Sequence, residues 1–225
     1  MRLLEQRKSM TVHTLSQLLF TSESTVRRDL SELERAGRVR RTFGGVVLEE
    51  TLTKEVPLLL RRSQNHRAKE IIAAKARPLL SNGKVIFLDA SSTVAHLVPI
   101  LGEFSDLTVM TNSPNTALEL GALGIRTYCT GGLLLEASQA FVGAEAEDTV
   151  RRFNADLMFF SSRGVDRDGN ITDSSVEESR LRLAMMQRAR KKYFLFDTDK
   201  YEKKYIYNLC NVSEIDGVIS NEDIF

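Results

Sequence analysis

Two sets of side chains in this 225-residue sequence are of the types that hold charged ligands. The first lies in S-E-S-T-V-R-R-D-L, residues 22–30, and in R-V-R-R-T-F-G-G-V-V-L, residues 38–48. Helical counting at about 100° per residue puts Val26, Leu30 and Leu33 on one face. Ser24, Arg28 and Ser31 fall opposite, with Thr25 and Arg27 on the flanks. Hydroxyls and guanidinium groups facing outward are donors for phosphates and for base edges. The second set closes a series of short apolar runs: residues 89–93 (D-A-S-S-T), 111–113 (T-N-S), 130–132 (T-G-G), 161–164 (S-S-R-G) and 197–200 (D-T-D-K). Hydroxyls, glycine-flanked backbone amides and a lysine suit a small anion.

The elements that must position the first set follow from spacing. Ser22 stands at the N-cap of the second helix, and Leu15, Leu18 and Leu19 give the preceding helix its apolar stripe. Residues 20–22 are the short connection, so the pair reads as a helix-turn-helix. In that motif the N-terminal residues of the second helix lie nearest the bases, which selects Ser24, Thr25, Arg27 and Arg28. After Gly37 the period changes to that of strands around Phe43, Gly44 and Gly45. The resulting wing carries Arg38, Arg40 and Arg41 as phosphate contacts. An ordinary helical hairpin with a solvated basic face is the competing reading; the cap, the stripe and the wing in this order favour DNA.

The second set requires a different scaffold. Apolar runs at 85–88, 107–110, 125–129, 157–160, 193–196 and 217–219 alternate with helical patterns at 93–101, 115–123, 145–152 and 176–190. Runs that do not alternate inside and outside, separated by helices, predict a mostly parallel sheet covered on both faces. Ligands of such sheets bind beyond the carboxyl ends of the strands. Ser91, Ser92 and Thr93 precede a helix and offer an anion seat, and Gly131 and Gly132 let backbone approach a ligand. Each feature alone reads as a cap, a turn or a solvated loop. At corresponding strand ends they point together to a small phosphorylated polyol or sugar.

The length fits two domains: a reader at 1–48, a connector at 49–66 containing Pro57 and Leu58-Leu59-Leu60, and a larger α/β domain at 67–225. The formal charge of +1 excludes a uniformly basic coat. Residues 1–48 nevertheless hold nine Lys and Arg against five Asp and Glu, and the remainder 22 against 25. Cys129 and Cys210 show no metal spacing and read as buried free thiols. Neither a membrane helix nor a signal peptide is predicted, so the expected location is the cytoplasm.

These segments resemble the DeoR family of bacterial transcriptional regulators over nearly the whole chain. The likeness is carried by S-E-S-T-V-R-R-D-L with R-R-T-F-G-G-V-V-L, by the spaced Arg61, Asn65 and Lys69, and by I-F-L-D-A-S-S-T, V-M-T-N-S, T-G-G, V-E-E-S-R-L-R-L-A-M-M and D-T-D-K-Y in order. The resemblance implies a winged helix-turn-helix joined to a sugar-phosphate sensor related in fold to ribose-5-phosphate isomerase and glucosamine-6-phosphate deaminase. It implies that Ser91, Ser92, Thr93 and Lys200 contact phosphate or its neighbours. Asp89, Asn112, Gly132 and Glu178 then line the rest of the pocket, with Thr111 and Gly131 beside them. Ala90-Ser91-Ser92-Thr93 departs from the family's usual glycine before two threonines. Both ends of the chain are short for the family and read as trimmed or atypical.

The expectation is a repressor of a sugar-utilisation operon that binds double-stranded operator DNA and answers to a phosphorylated sugar. Paired readers on two half-sites call for a homo-oligomer, a dimer or tetramer. The alternative is a sugar-phosphate isomerase or deaminase using Asp89, Asp166, Glu178 and Lys200 as acid/base groups. Against it, His13, His66 and His96 form no cluster. No catalytic residue, cofactor or metal ligand is assigned.

Overall fold

The computed structural model describes residues 2–7, 9–35, 39–42, 44–48 and 58–224. The expectations placed on Arg38, Phe43 and Pro57 lie outside them. The chain divides into two compact units, Met1–His66 and Arg67–Phe225.

The first unit contains α1 (Arg2–Arg7), β1 (Ser9–Thr11), α2 (Val12–Leu18), α3 (Glu23–Arg35), β2 (Val39–Thr42), β3 (Gly45–Leu48) and α4 (Leu58–Ser63). Thr11 caps α2, its Oγ1 accepting from the Thr14 N–H at 3.0 Å. Ser22 caps α3, accepting from the Thr25 N–H at 3.2 Å. Between them the chain turns at Phe20, whose φ of 51° is left-handed. Val26 and Leu30 of α3 are buried against Leu4, Met10, Val12, Leu15, Val39 and Val46. This is the stripe that helical counting selects.

Two expectations for this unit need correction. Leu18 and Leu19 do not join the core; they are 41% and 53% exposed. Helix α2 is only seven residues long, and its inward positions are taken by Val12 and Leu15, three residues apart. The wing is also broader than a hairpin. β1 pairs antiparallel with β3, giving the order β1-β3-β2. A three-residue strand is too short to announce itself by alternation. In the segment expected as a connector, α4 forms a helix whose Leu60 is 1% exposed. A side chain on Gly45 would sit 2.4 Å from a Leu60 methyl and 2.8 Å from the Met10 carbonyl.

The second unit opens with α5 (His66–Ala76) and then β4 (Val85–Leu88), α6 (Val98–Leu101), β5 (Thr108–Thr111), α7 (Pro114–Ala122) and β6 (Arg126–Cys129). A hairpin of β7 (Leu133–Leu135) and β8 (Ala140–Val142) follows, then α8 (Ala144–Arg151) and β9 (Ala155–Phe160). The chain ends with β10 (Gly164–Val165), β11 (Asn170–Asp173), α9 (Val176–Arg188), β12 (Ala189–Phe196), β13 (Tyr207–Asn211) and β14 (Gly217–Ser220). Six strands form one parallel sheet in the order β14-β12-β9-β4-β5-β6.

Both faces of this sheet are covered. Ile86, Leu88, Val109, Phe159 and Leu195 pack with Ile72, Leu97, Leu101 and Leu120 on one side. Phe87, Met110, Met158, Phe160 and Phe194 pack with Val150, Leu181 and Met185 on the other. Burial on two faces is why the strands read as continuous apolar runs. From β4 the chain moves outward to β5 and β6, then returns to β9 on the other side of β4 and continues to β12 and β14. The direction of winding therefore reverses between β4 and β9, where α/β sheets place their ligands.

The helix expected over 93–101 is instead a 3-10 turn at Val94–Leu97 followed by α6. Pro99 lacks the N–H that a continuous α-helix would use there. The helix expected over 176–190 stops at Arg188, and Ala189 already begins β12. The antiparallel sheet β10-β11-β13 and the β7-β8 hairpin were not foreseen. Nor is Cys129 buried: it is exposed on the edge strand β6, and only Cys210 is buried.

Truncating Leu30 to alanine, at 4% exposure, is expected to cost the first unit about 2–5 kcal/mol. Urea unfolding followed by amide signals from α3 measures it; a loss below about 0.5 kcal/mol contradicts the packing described.

Candidate functional site

The outward face of α3 carries the side chains selected from the sequence as base contacts. Ser24, Arg27 and Arg28 are exposed, and Thr25 is half-buried. The Ser22 hydroxyl lies 2.8 Å from that of Ser24 and 2.9 Å from that of Thr25. The side chain of Arg28 is 75% exposed, its Nε 3.8 Å from Asp29. Arg27 donates to Glu23 one turn earlier at 3.0 Å, and His13 Nδ1 from α2 lies 3.3 Å from the other oxygen of that carboxylate. Arg27 first, and His13 after it, hold the Glu23 carboxyl below its ordinary range. Arg40 and Arg41 are exposed on β2. Arg41 is tied to α3: its Nη1 donates to the Ser31 hydroxyl at 2.5 Å and its N–H to Glu34 at 2.8 Å. The wing is thereby fastened to the helix it accompanies.

The second site lies beyond the carboxyl ends of the parallel strands, at the reversal between β4 and β9. Asp89 follows β4 and is 1% exposed. One of its oxygens accepts from the Ser91 N–H at 3.1 Å, the other from the Ser161 N–H at 3.2 Å after β9. The latter also accepts from Arg182 Nε at 2.8 Å. Arg182 projects from α9 and donates further to Asp173 at 2.8 Å and to Glu178 at 3.1 Å. Burial alone would lower the Arg182 pKa, but the Asp173, Asp89 and Glu178 carboxylates hold it above its ordinary value. For Asp173, burial pushes upward; Arg182, the Ser175 N–H, Arg163 and Ser162 outweigh it and keep the carboxyl low.

Beside this network is a ring of hydroxyls and ammonium groups. Lys200 Nζ donates to Ser161 at 2.9 Å and to Thr93 at 3.4 Å. Lys69 of α5, only 3% exposed, donates to Ser92 at 3.1 Å. Two lysines from opposite ends of the unit's sequence thus meet one three-residue hydroxyl loop. Two buried acceptors have no hydrogen-bond partner among the described residues: Oε1 of Glu178, a residue 5% exposed, and Oδ1 of Asn112, 4% exposed. Buried polar atoms are rarely left so.

The sequence-selected residues are distributed as follows. Asp89, Ser91, Ser92, Thr93, Glu178 and Lys200 belong to one connected network. Thr111 and Asn112 leave the same sheet edge, since Leu88 pairs with Thr111. Thr111 accepts from the Ser113 N–H at 3.1 Å, and the Asn112 amide donates to the Phe141 carbonyl at 3.0 Å. Gly131 has φ +66° with open space where a Cβ would lie. Gly132 differs from the reading of a ligand cradle: its missing Cβ would meet the Val142 carbonyl at 2.6 Å and Ala146 at 3.1 Å. The chain's own β8 and α8 fill that space.

Sequence reasoning set Ser161 and Arg163 at a strand end without selecting either as a contact, missed Asp173 and Arg182, and gave Lys69 no place in the pocket. Of the two missed, Arg182 carried a readable signal, as an arginine on the buried stripe of Leu181 and Met185, four residues from Glu178. Of the alternative acid/base groups, Asp166 is occupied in its own turn, accepting from Asn170 and Asp168. Among the described residues no group of three His, Cys, Asp or Glu is arranged to hold a metal ion, and no helix is long and apolar enough to cross a membrane.

A model of the DeoR-like helix-turn-helix domain matches residues 1–51, and one of the DeoR C terminal sensor domain matches residues 64–222. The HTH-type transcriptional regulator GolR of Listeria innocua is 34% identical over 99% of this chain and 88% of its own length. The L-fucose operon activator of Haemophilus influenzae is 34% identical over 97% of this chain and 88% of its own length. The lactose phosphotransferase system repressor of Staphylococcus epidermidis is 30% identical, covering 99% and 89%. Among solved structures, eIF2B delta from Chaetomium thermophilum has a TM-score of 0.51 at 17% identity over 74% of this chain and 60% of that one. A D-ribose-5-phosphate isomerase has a TM-score of 0.45 at 20% identity over 60% and 54%.

Replacing Arg182 with methionine leaves three buried carboxylates facing one another and is expected to cost about 3–5 kcal/mol in urea unfolding. The depressed Asp173 carboxyl sets a pH signature. Its contribution is complete above the unfolded aspartate value, about 3.9, and is lost as pH falls through the lower folded value. Asp173→Asn is expected to flatten stability against pH in that acid window; an unchanged slope contradicts the assignment.

Proposed function

The chain belongs to the DeoR family of transcriptional regulators, and on that premise we propose that it represses a sugar-utilisation operon under control of a phosphorylated sugar. The reader is assigned to 1–48, the connector to 49–66 and the sensor to 67–225. Ser24, Thr25, Arg27 and Arg28 are assigned to operator contacts, and Arg40 and Arg41 to phosphate contacts from the wing. Asp89, Ser91, Ser92, Thr93, Thr111, Asn112, Gly131, Glu178 and Lys200 are assigned to the effector.

The observation that carries this reading is the convergence of Lys69 and Lys200 on the 91–93 hydroxyl loop, supported by the unpartnered acceptors of Glu178, in the Arg182 network, and of Asn112, which follows β5. The ammonium groups suit a phosphate. The two acceptors suit hydroxyl donors on the remainder of the ligand, which a sugar supplies. Effector control follows if the sugar phosphate binds one arrangement of the protein better than another, since a ligand shifts an equilibrium only by its differential affinity. A homo-oligomer in the cytoplasm, a dimer or tetramer, presents two readers to two half-sites.

An isomerase or deaminase is not favoured. Asp89 and Glu178 are both engaged by Arg182, whereas proton transfer needs a carboxylate placed against the substrate's own proton.

Arg27→Ala combined with Arg28→Ala is expected to abolish specific binding to the chain's own promoter DNA in a gel-shift assay. Unaltered affinity rejects the reader assignment. Lys200→Ala is expected to keep DNA binding while losing the thermal stabilisation that a phosphorylated sugar gives the wild type. An equal shift in both proteins at the same ligand concentration rejects the pocket.

A further inference from the structure

We propose that Glu23 is a specificity-determining residue of the DNA reader. Its carboxylate orients Arg27 toward a guanine and restricts the neighbouring base position to cytosine or adenine. The inference rests on the reading that α3 enters the major groove and goes beyond it by giving a carboxylate a role at a surface otherwise made of donors.

Glu23 is the first residue of α3, and Arg27 follows one turn later, on the flank between the buried Val26 and Leu30 and the outward Ser24 and Arg28. The carboxylate is held from two helices: Oε2 accepts from Arg27 Nη2 at 3.0 Å, and Oε1 lies 3.3 Å from His13 Nδ1 of α2. The side chains of Glu23 and Arg27 remain 43% and 55% exposed. Exposed ion pairs of this kind contribute little to stability. An acid in the first turn satisfies the helix dipole without a second helix gripping it. At a surface that meets phosphates, moreover, a fixed negative charge lowers affinity for every sequence alike.

What the arrangement supplies is discrimination. An arginine on a flexible stem takes either a phosphate or a guanine. Arg27, partly neutralised by Glu23, is drawn less to phosphate, while its fork keeps donors for guanine O6 and N7. Beside it, the carboxylate repels thymine O4 and guanine O6 and accepts from the exocyclic amino groups of cytosine and adenine. Selectivity against the wrong base is then built from repulsion as well as attraction.

The test is selection of binding sites from a randomised duplex library by the full chain, compared with Glu23→Ala and Glu23→Gln. The wild type is expected to enrich a site with a fixed guanine beside a position held to cytosine or adenine. Glu23→Ala is expected to relax that position on the order of 10-fold, while affinity for random-sequence duplex rises. Glu23→Gln is expected to move the preference toward adenine, whose N6 and N7 match a carboxamide. If all three proteins enrich the same site with the same preference at each position, the inference is overturned while the reader assignment stands. If the wild type enriches no site, the reader assignment fails and this inference with it. Thermal melting of each variant confirms that a lost preference is not a lost fold.

Discussion

The sensor unit depends on one guanidinium. Arg182 is buried among Asp89, Asp173 and Glu178, which come from the end of β4, the end of β11 and the first turn of α9. Removing any one partner leaves charge stranded where water cannot reach it, so the elements are held in a single arrangement. The same contacts leave Asp89 aimed at the Ser91 and Ser161 amides, which fixes the loops after β4 and β9. Those loops carry the hydroxyls that Lys69 and Lys200 reach. The placement of those hydroxyl and ammonium groups thus depends on the charge network around Arg182.

The first unit is organised by contrast around apolar packing. Val26 and Leu30 fix which side of α3 is turned away from solvent, and the arginines take what remains. The Arg41–Ser31 and Arg41–Glu34 contacts tie β2 to α3. Arg41 is consequently fixed against α3, and a side chain held in place loses less conformational entropy on binding than a mobile one does.

Much of this was legible in the sequence because it is written in local periodicity. The stripe of α3, the Ser22 cap and six apolar runs with polar ends are all properties of short windows. Long-range features were not. Arg182 reaches Asp89 across 93 positions and Lys69 reaches Ser92 across 23, and no spacing rule connects such pairs. Short elements failed for another reason: β1 and β10, of three and two residues, are stabilised by their partners rather than by their own composition. The exposure of Leu18 and Leu19 shows the limit of periodicity itself, since a two-turn helix has room for only two inward residues.

The contrast between the two cysteines has a practical side. Burial pushes the Cys210 thiol up to about 12, so it stays protonated and inert toward alkylating dyes at ordinary pH. Cys129, on the uncovered rim of the sheet, is reachable, although partial burial raises its thiol as well. A maleimide fluorophore applied at mildly alkaline pH should therefore attach once per chain, giving a reporter at the sheet edge without any engineered site.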